Sequence, residues 1–292
     1  MPLRHILLAV MVTAVWGFNF VVIRLGLGTV PPLLLAALRF VVASLPVFFL
    51  PRPKVPLWRM LAIGMTLFVG QFAFLFPAMK LGMPPGLASV TLQSQAFFTI
   101  LIASIVLRER PKPRQIGGAL VAGAGLLTIA STVGGDFTTI GLVLTIASAI
   151  SWASGNILMR GAGKVDTLPM IIWLCLIPPL PLFGLSLIFE GWPAIVTAFA
   201  DANLVSVASV LYIAIPTTIF GFAVWGFLLK HHPASTVAPF SLMVPLFGTV
   251  SSWAVLGETF SPLRVLGMAL ILIGLGTIVL PLPGFLRRAP AA

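Results

Sequence analysis

The chain has 292 residues, of which 59% are hydrophobic and only 8% are charged, and its mean hydropathy is +1.14. Soluble domains carry about 25% charged residues, so this composition excludes a water-soluble fold and predicts an integral membrane protein. The net charge of +11 does not indicate nucleic-acid binding, because the basic residues lie in short loops between apolar runs. A single cysteine, Cys175, excludes an intramolecular disulfide and a cysteine metal cluster.

Apolar runs long enough to cross a bilayer recur along the whole chain. A spanning helix needs about 20 mostly apolar residues, and continuous runs favour helices over the alternating pattern of barrel strands. We interpret the first run as a retained helix, because no small-residue cleavage site follows it. The fold class is therefore all-α integral membrane, with ten transmembrane helices. The predicted spans are 5–24, 32–50, 59–80, 84–107, 115–133, 138–159, 167–189, 203–229, 233–256 and 262–281.

Lys and Arg residues are distributed unequally between the two sides of this membrane. With ten spans both termini share a side, and thirteen of the 17 basic residues fall on it. Such a bias predicts cytoplasmic termini in a bacterial-type inner membrane. The thirteen are Arg4, Arg52, Lys54, Arg59, Arg108, Arg110, Lys112, Arg114, Arg160, Lys164, Lys230, Arg287 and Arg288. Three others, Arg24, Lys80 and Arg264, lie on the opposite side, and Arg39 lies inside a span.

A long stretch of the chain, 84–129, recurs at 233–278 with a shift of 149 residues and no gap. The shift places Glu109 on Glu258, each of which follows an apolar span and precedes a glycine-rich one. Each half holds five spans, which is an odd number. The second copy must therefore cross the membrane in the direction opposite to the first.

The first and sixth spans are related in the same way. Trp16 precedes Arg24 by eight residues, and Trp152 precedes Arg160 by eight. Inverted repeats of this kind are a transporter architecture, in which two similar halves expose a central site to each side in turn. The predicted repeats are 1–134 and 135–292, within one membrane domain.

Several motifs occur in a recognisable order. Trp-Gly-x-Asn lies in the first span at Trp16–Asn19, Arg39 and Phe40 adjoin in the second, and Gly-Glu-x-Phe at Gly257–Phe260 precedes the last helix. Together they resemble the EamA family of ten-helix drug/metabolite transporters over essentially the whole chain. The resemblance implies export of small metabolites, notably amino acids, and in some members of cationic drugs. The chain is similar in particular to bacterial exporters of aromatic amino acids.

The two copies depart from each other at positions that bear on movement. Pro245 has Ala96 as its counterpart, and the first hinge reads Arg-Glu-Arg where the second reads Gly-Glu-Thr. A proline within a helix frees a carbonyl and bends the helix, which favours gating bends in the ninth span. The predicted gating and hinge residues are Pro239, Pro245, Glu109 and Glu258.

Polar residues at membrane depth are costly and therefore need a reason. Asn19 shares a helix face with Trp16, and Asn156 shares one with Trp152, so these faces predict either a cavity lining or hydrogen bonds between helices. Gln71 offers the same two alternatives.

Gln93 and Gln95 lie about 200° apart at 100° per residue, so we expect only one of them to face a cavity. Ser241 lies in the region that corresponds to these glutamines in the second copy.

Arg39 is the cation that lies well inside a span, and every acidic residue of the chain falls in a loop or at a hinge. Its guanidinium must find water, carbonyl oxygens or an anionic substrate group, and bonding to carbonyls is the preferred interpretation. Aromatic residues near these positions favour a wall that stacks on apolar substrates. The predicted cavity residues are Trp16, Asn19, Arg39, Gln71, Phe74, Gln93, Gln95, Trp152, Asn156, Trp225 and Ser241.

Catalytic constellations are missing from the sequence: no paired carboxylates lie within spans, and no metal-ligand spacing exists. We therefore expect no enzyme, metal or cofactor. The expected function is export of small metabolites, with amino acids and their aromatic members favoured. The alternatives are a multidrug or organic-cation exporter and, in another class, a channel or a membrane receptor. The expected partners are a small-molecule substrate and the lipid bilayer, with no nucleic acid, as a monomer or a dimer.

Overall fold

The computed structural model describes residues 1–163 and 165–280, and helices dominate this part of the chain. Lys164, Arg287 and Arg288 of the charge count lie outside the described residues. Nine helices in it are long and apolar enough to cross a membrane. They are Leu3–Gly26, Pro32–Phe49, Leu57–Lys80, Pro85–Val106, Thr139–Arg160, Thr167–Phe189, Leu204–His231, Ala238–Leu256 and Pro262–Val279.

The helix Pro113–Ala130 lies where the fifth span was predicted. Its first turn contains the polar residues Arg114 and Gln115, and this lower hydropathy distinguishes it from the nine apolar helices. It packs along the last span, Pro262–Val279. We count it as the fifth span, so the all-α membrane fold is confirmed, and the spans keep the numbers one to ten below. A short helix, Trp192–Ala200, joins the seventh span to the eighth.

Local sequence explains where the helices begin. Proline at the first helical position, as at Pro113 and Pro262, lacks the N–H that would otherwise find no partner there. Thr138 caps the sixth span by accepting a hydrogen bond from the Gly141 N–H at 3.1 Å. Asn203 caps the eighth in the same way. The loops between spans can therefore be short.

The fifth and tenth spans meet at glycines that the 149-residue shift relates to one another. A Cβ on Gly118 would lie 2.7 Å from the Gly274 carbonyl oxygen, and one on Gly125 would lie 2.6 Å from that of Gly267. A shift of 149 residues exchanges the members of these two pairs. Each helix therefore presents the same surface to the other, as across a two-fold axis. The glycines form an interface inside the protein.

Two pairs of irregular segments interrupt the spans. A π-helical segment occurs at Met65–Gly70 in the third span and at Ile215–Phe220 in the eighth. A 3-10 segment occurs at Leu92–Ser94 in the fourth span and at Ala238–Leu242 in the ninth, which a helical turn precedes. Such segments frequently mark functional sites, since they free backbone groups and re-aim side chains. Both pairs lie in corresponding regions of the repeats.

The hinges after the fourth and ninth spans share one backbone conformation. Arg108 has φ +53° and Gly257 has φ +67°, both in the left-handed region. The Glu109 N–H donates to the Ala103 carbonyl at 3.4 Å, and the equivalent Glu258 N–H donates to Ser252 at 3.3 Å. The difference between Arg-Glu-Arg and Gly-Glu-Thr therefore leaves the path of the chain unchanged.

The two ends of the bundle differ in packing. We call them the Glu258 end and the Glu109 end, after the hinge residue at each. At the Glu258 end, residues 85–92 of the fourth span are all buried. At the Glu109 end, the equivalent stretch exposes Thr236 and leaves residues 238–241 half-buried. The Glu258 end is thus the more tightly packed.

Candidate functional site

A cavity of about 280 Å³ lies between the spans at the centre of the bundle. Its lining comes from seven of them: the first four, the sixth, the eighth and the ninth. Ligand pockets commonly measure about 300–1,000 Å³, so this cavity, which lies just below that range, suits a small molecule. The lining residues are Trp16, Asn19, Phe20, Arg39, Phe68, Gln71, Phe72, Leu75, Ser89, Leu92, Gln93, Gln95, Trp152, Thr217, Phe222, Trp225, Ser241 and Val244.

Arg39 places a buried cation at this cavity. The side chain is only 4% exposed. Its Nε donates a hydrogen bond to the Thr218 hydroxyl at 3.1 Å, and its Cζ lies 4.3 Å from the centroid of the Phe72 ring. Its buried Nη1 has no hydrogen-bond partner among residues 1–163 and 165–280. A buried unpaired charge is costly, so this N–H group calls for an acceptor from water or from a ligand.

Amide oxygens of the lining also lack partners within the described chain. They are Asn19 Oδ1, Gln71 Oε1 and Gln95 Oε1. These atoms accept hydrogen bonds and can receive a bond from an ammonium group. The cavity therefore combines one fixed cation with several acceptors, which is complementary to a molecule that carries both charges.

Gln93 and Gln95 both line the cavity, and Gln95 Nε2 donates to Gln93 Oε1 at 3.3 Å. The prediction that only one of them faces it is wrong. That prediction assumed α-helical geometry, whereas Leu92–Ser94 is a 3-10 segment. Three residues per turn bring the two side chains to about 120° apart, so one cavity can accommodate both.

Aromatic side chains form one wall of the cavity. The Trp16 ring centroid lies 5.2 Å from that of Trp225 and 5.6 Å from that of Phe222. The Trp16 Nε1–H donates to the Thr217 carbonyl at 2.9 Å, a group within the π-helical segment of the eighth span. Gly221 leaves room for the indole, because a Cβ there would lie 2.5 Å from its nitrogen. The wall is thus fixed by backbone as well as by stacking.

Phe74 and Asn156, which were also predicted, do not line this cavity. The third span faces it with Phe68, Gln71, Phe72 and Leu75, and Phe74 is not among the lining residues. Phe74 is 38% exposed. Asn156 shares the face of Trp152 but lies about 6 Å further along the helix axis, nearer its end.

Thr217 and Thr218 were missed by sequence reasoning, although both are buried and each serves the site. Thr217 supplies the carbonyl that holds Trp16, and Thr218 accepts from Arg39. The available signal was a pair of adjacent hydroxyl residues that directly follows Pro216 in an apolar span.

The predicted hinge and gating residues lie outside the lining. Pro239 is in the 3-10 segment of the ninth span, and Pro245 follows within that span. Glu109 pairs with Arg160 at 3.1 Å, and both side chains are more than half exposed. Their gating role stays a prediction.

Glu258 makes a different set of contacts. Its two carboxylate oxygens accept from the backbone N–H groups of Gly86 at 2.7 Å and Leu87 at 3.2 Å, at the start of the fourth span. Burial raises the pKa of the Glu258 carboxyl, and the charge of Asp136 acts in the same direction, whereas these backbone hydrogen bonds oppose the rise. The carboxyl therefore closes a gap between the two repeats at a cost in desolvation.

Comparison with known proteins relates the chain to membrane transporters. A model of the EamA-like transporter family matches residues 3–131 and 139–280. A probable amino-acid metabolite efflux pump of Salmonella typhimurium is 44% identical over 275 residues, which is 92% of each chain, and one of Escherichia coli is 42% identical with the same coverage. A probable terminal-alkyne amino-acid exporter of Streptantibioticus cattleyicolor is 27% identical over 94% of this chain and 93% of its own. A crystal structure with 20% identity and a TM-score of 0.65 covers 94% of this chain and 96% of its own, and shares the fold.

Proposed function

Since the chain belongs to the EamA-like transporter family, whose members are multi-pass membrane proteins, we propose that it exports amino acids, with aromatic ones favoured. Relatives that are 44% and 42% identical are named probable amino-acid metabolite efflux pumps, and these names support the substrate class. In this proposal the substrate occupies the central cavity, and the two repeats expose it to each side in turn. In this proposal both termini lie on the cytoplasmic side of an inner membrane, and the bias of Lys and Arg supports this orientation.

The observation that carries the proposal is the buried Arg39 guanidinium with its unpartnered Nη1 among the described residues. A substrate carboxylate satisfies this group with a charge-assisted hydrogen bond. The ammonium group of the same molecule then binds the free amide oxygens of Asn19, Gln71 or Gln95. A zwitterion meets both requirements at once.

The wall of Trp16, Phe222 and Trp225 supports the preference for aromatic side chains. Stacked or tilted aromatic pairs contribute about 0.5–1.5 kcal/mol beyond the burial of area. A cavity of about 280 Å³ leaves room for one side chain of this size. We therefore expect apolar and aromatic amino acids to be transported better than charged ones.

An exporter of organic cations is the second candidate, because aromatic walls also attract cations. The positive charge of Arg39 disfavours it, since a like charge in a buried site repels the ligand. A channel or a receptor would lack saturable counterflow. The substrate test below separates these candidates.

The test is counterflow of labelled aromatic amino acids in proteoliposomes, with tryptophan and tryptamine as competitors. We expect tryptophan to compete and tryptamine, which lacks the carboxylate, to compete at least tenfold less well, the equivalent of about 1.4 kcal/mol. Arg39→Gln should abolish counterflow while the protein still elutes as a folded species. Arg52→Gln, which removes an exposed charge, is the matched control.

Thr218→Val provides a second variant if Arg39→Gln does not fold. It leaves the guanidinium in place but removes its hydroxyl partner, so we expect a higher KM with less effect on kcat. Equal competition by tryptamine would contradict carboxylate recognition. Failure of every amino acid in the panel would overturn the substrate class without overturning the membership in a transporter family.

A further inference from the structure

The two acidic hinge residues occupy equivalent places in the repeats but hold different partners. Their backbones follow the same path: the residue before each acid has a similar positive φ, and each acid's N–H donates to the carbonyl six residues earlier. Glu258 nevertheless bonds to the amides of Gly86 and Leu87, whereas Glu109 is more than half exposed and pairs with Arg160. Hinges of one backbone conformation with different contacts indicate two halves in different states.

The amides that Glu258 holds have equivalents at the Glu109 end. A shift of 149 residues places Gly86 on Ser235 and Leu87 on Thr236. Thr236 is exposed, and its N–H donates to the Pro233 carbonyl at 2.9 Å. First-turn N–H groups of a helix are natural partners for a carboxylate. The exposure of Thr236 leaves the start of the ninth span accessible to an acid, which must replace the Pro233 carbonyl as the acceptor of the Thr236 N–H.

The basic partner of Glu109 also has an equivalent. Arg160 corresponds to Arg24, which lies eight residues after its tryptophan as Arg160 does. Arg24 and Glu258 line one small pocket at the Glu258 end, and the Arg24 Nη1 donates to the Met79 carbonyl at 3.2 Å. Arg24 thus lies near Glu258, while the Glu258 carboxylate accepts hydrogen bonds from Gly86 and Leu87.

We propose that Glu109 and Glu258 exchange partners reciprocally as the transporter changes state. In the state described here, Glu258 holds the fourth span closed and Glu109 pairs with Arg160. In the opposite state, Glu109 caps the start of the ninth span and Glu258 pairs with Arg24. The exchange rests on the alternating access of the proposed function but on no particular substrate.

The two contacts of each acid differ in strength. Charge-assisted hydrogen bonds to buried amides stabilise a state more than an exposed ion pair does. Truncation of Glu258 therefore weakens mainly the present state, because it leaves two buried N–H groups without an acceptor. Truncation of Glu109 weakens mainly the opposite state. The two variants should shift the equilibrium in opposite directions.

The test places a reporter cysteine at Met83, which is 1% exposed and lines the same pocket as Glu258. The background is Cys175→Ala in lipid nanodiscs, where a soluble maleimide reaches both faces of the membrane. We expect Glu258→Ala to raise the labelling rate of M83C by about fivefold or more, given what hydrogen bonds to charged groups contribute. Glu109→Ala should lower the rate.

Matched variants separate the exchange from simple disruption. Glu258→Gln keeps an acceptor oxygen and should stay within about twofold of the background, as partial retention of the bond requires. Arg160→Ala removes only the exposed pair, so it should not lower the rate as Glu109→Ala does. Cys175, which is 0% exposed in the core, reports unfolding when it is the only thiol in each variant.

An unchanged rate in Glu258→Ala, or a higher rate in Glu109→Ala, would overturn the exchange. Because the readout is accessibility, these outcomes do not depend on which amino acids are transported. Conversely, counterflow could fail for the whole panel while the two labelling rates still move in opposite directions. The two proposals therefore fail separately.

Discussion

At the scale of single residues, the cavity depends on side chains whose positions the backbone fixes. The Trp16 indole is held between the Thr217 carbonyl and Gly221, and both belong to a stretch of the eighth span that is partly π-helical. The irregular helix thereby presents the Thr217 carbonyl as an acceptor for the indole N–H. The aromatic wall is consequently sensitive to small changes at Gly221, which does not itself line the cavity.

Gly221→Ala tests this dependence. The new Cβ would lie 2.5 Å from Trp16 Nε1, so the indole must leave its carbonyl acceptor and move into the cavity. We expect the KM for an aromatic substrate to rise about tenfold, which corresponds to about 1.4 kcal/mol. Gly184→Ala is the control, since nothing lies within 4 Å of its Cβ position and Ala favours a helix. Equal KM values in both variants would contradict a fixed wall.

Sequence reasoning predicted many of these residues, because a polar or aromatic group at membrane depth needs a role. Trp16, Asn19, Arg39 and Gln71 met that criterion and now lie around one cavity. The orientation of Gln93 could not be predicted, since uniform α-helical geometry was assumed for a segment that is 3-10. Errors in the angular position of a side chain around its helix follow from tertiary packing, which a single sequence does not reveal.

At the scale of secondary-structure elements, the fifth and tenth spans approach each other at the glycines. A Cβ on Gly274 would lie 2.5 Å from the Gly118 carbonyl oxygen and 2.6 Å from the Ala122 amide nitrogen. Both neighbours are backbone atoms, which cannot rotate away. The two helices must therefore move apart to accept a methyl group at Gly274.

Gly274→Ala should therefore destabilise the protein by about 1–3 kcal/mol, the usual cost of overpacking. Gly117→Ala, one residue from a contact glycine but with nothing within 4 Å, is the control and should be neutral or slightly stabilising. Thermal unfolding in detergent measures both. A melting temperature of Gly274→Ala equal to that of Gly117→Ala would show that the two helices are not held together here.

The glycine-rich composition of these helices favours close helix packing, but it does not say whether the partner is another helix of the chain or a second copy. In the structure the partner is within the chain, because Gly118 approaches Gly274 and Gly125 approaches Gly267. The 149-residue shift interchanges these two pairs. The repeat was visible in the sequence because its two copies align without a gap.

At the scale of the whole molecule, the two repeats share their hinges and differ in what the hinges hold. The sequence predicted the duplication, but it could not predict which end is closed, since both states use the same residues. The closed Glu258 end carries a titratable group whose pKa burial raises. Its surroundings include Asp136, which Arg264 binds at 3.1 Å, and Arg24 in the same pocket.

This raised pKa makes the state of the whole molecule depend on pH. When the Glu258 end opens, the carboxyl enters water beside Arg24 and its pKa returns towards or below the ordinary value. Closing therefore takes up a proton, and by linkage the closed state is favoured as pH falls through the raised pKa. The effect fades at higher pH, where Glu258 is ionised in both states.

The expected result is that the labelling rate at M83C falls on acidification, relative to the rate of the same reporter in Glu258→Gln. The ratio removes the intrinsic pH dependence of thiol labelling. It also removes any contribution of His5, His231 and His232, which lie at the ends of the first and eighth spans and are present in both proteins. The carbonyl oxygen of a protonated carboxyl still accepts a backbone bond, so the contact with the fourth span survives protonation. A ratio that rises on acidification would contradict this direction, because it would mean that protonation of Glu258 weakens the closed state.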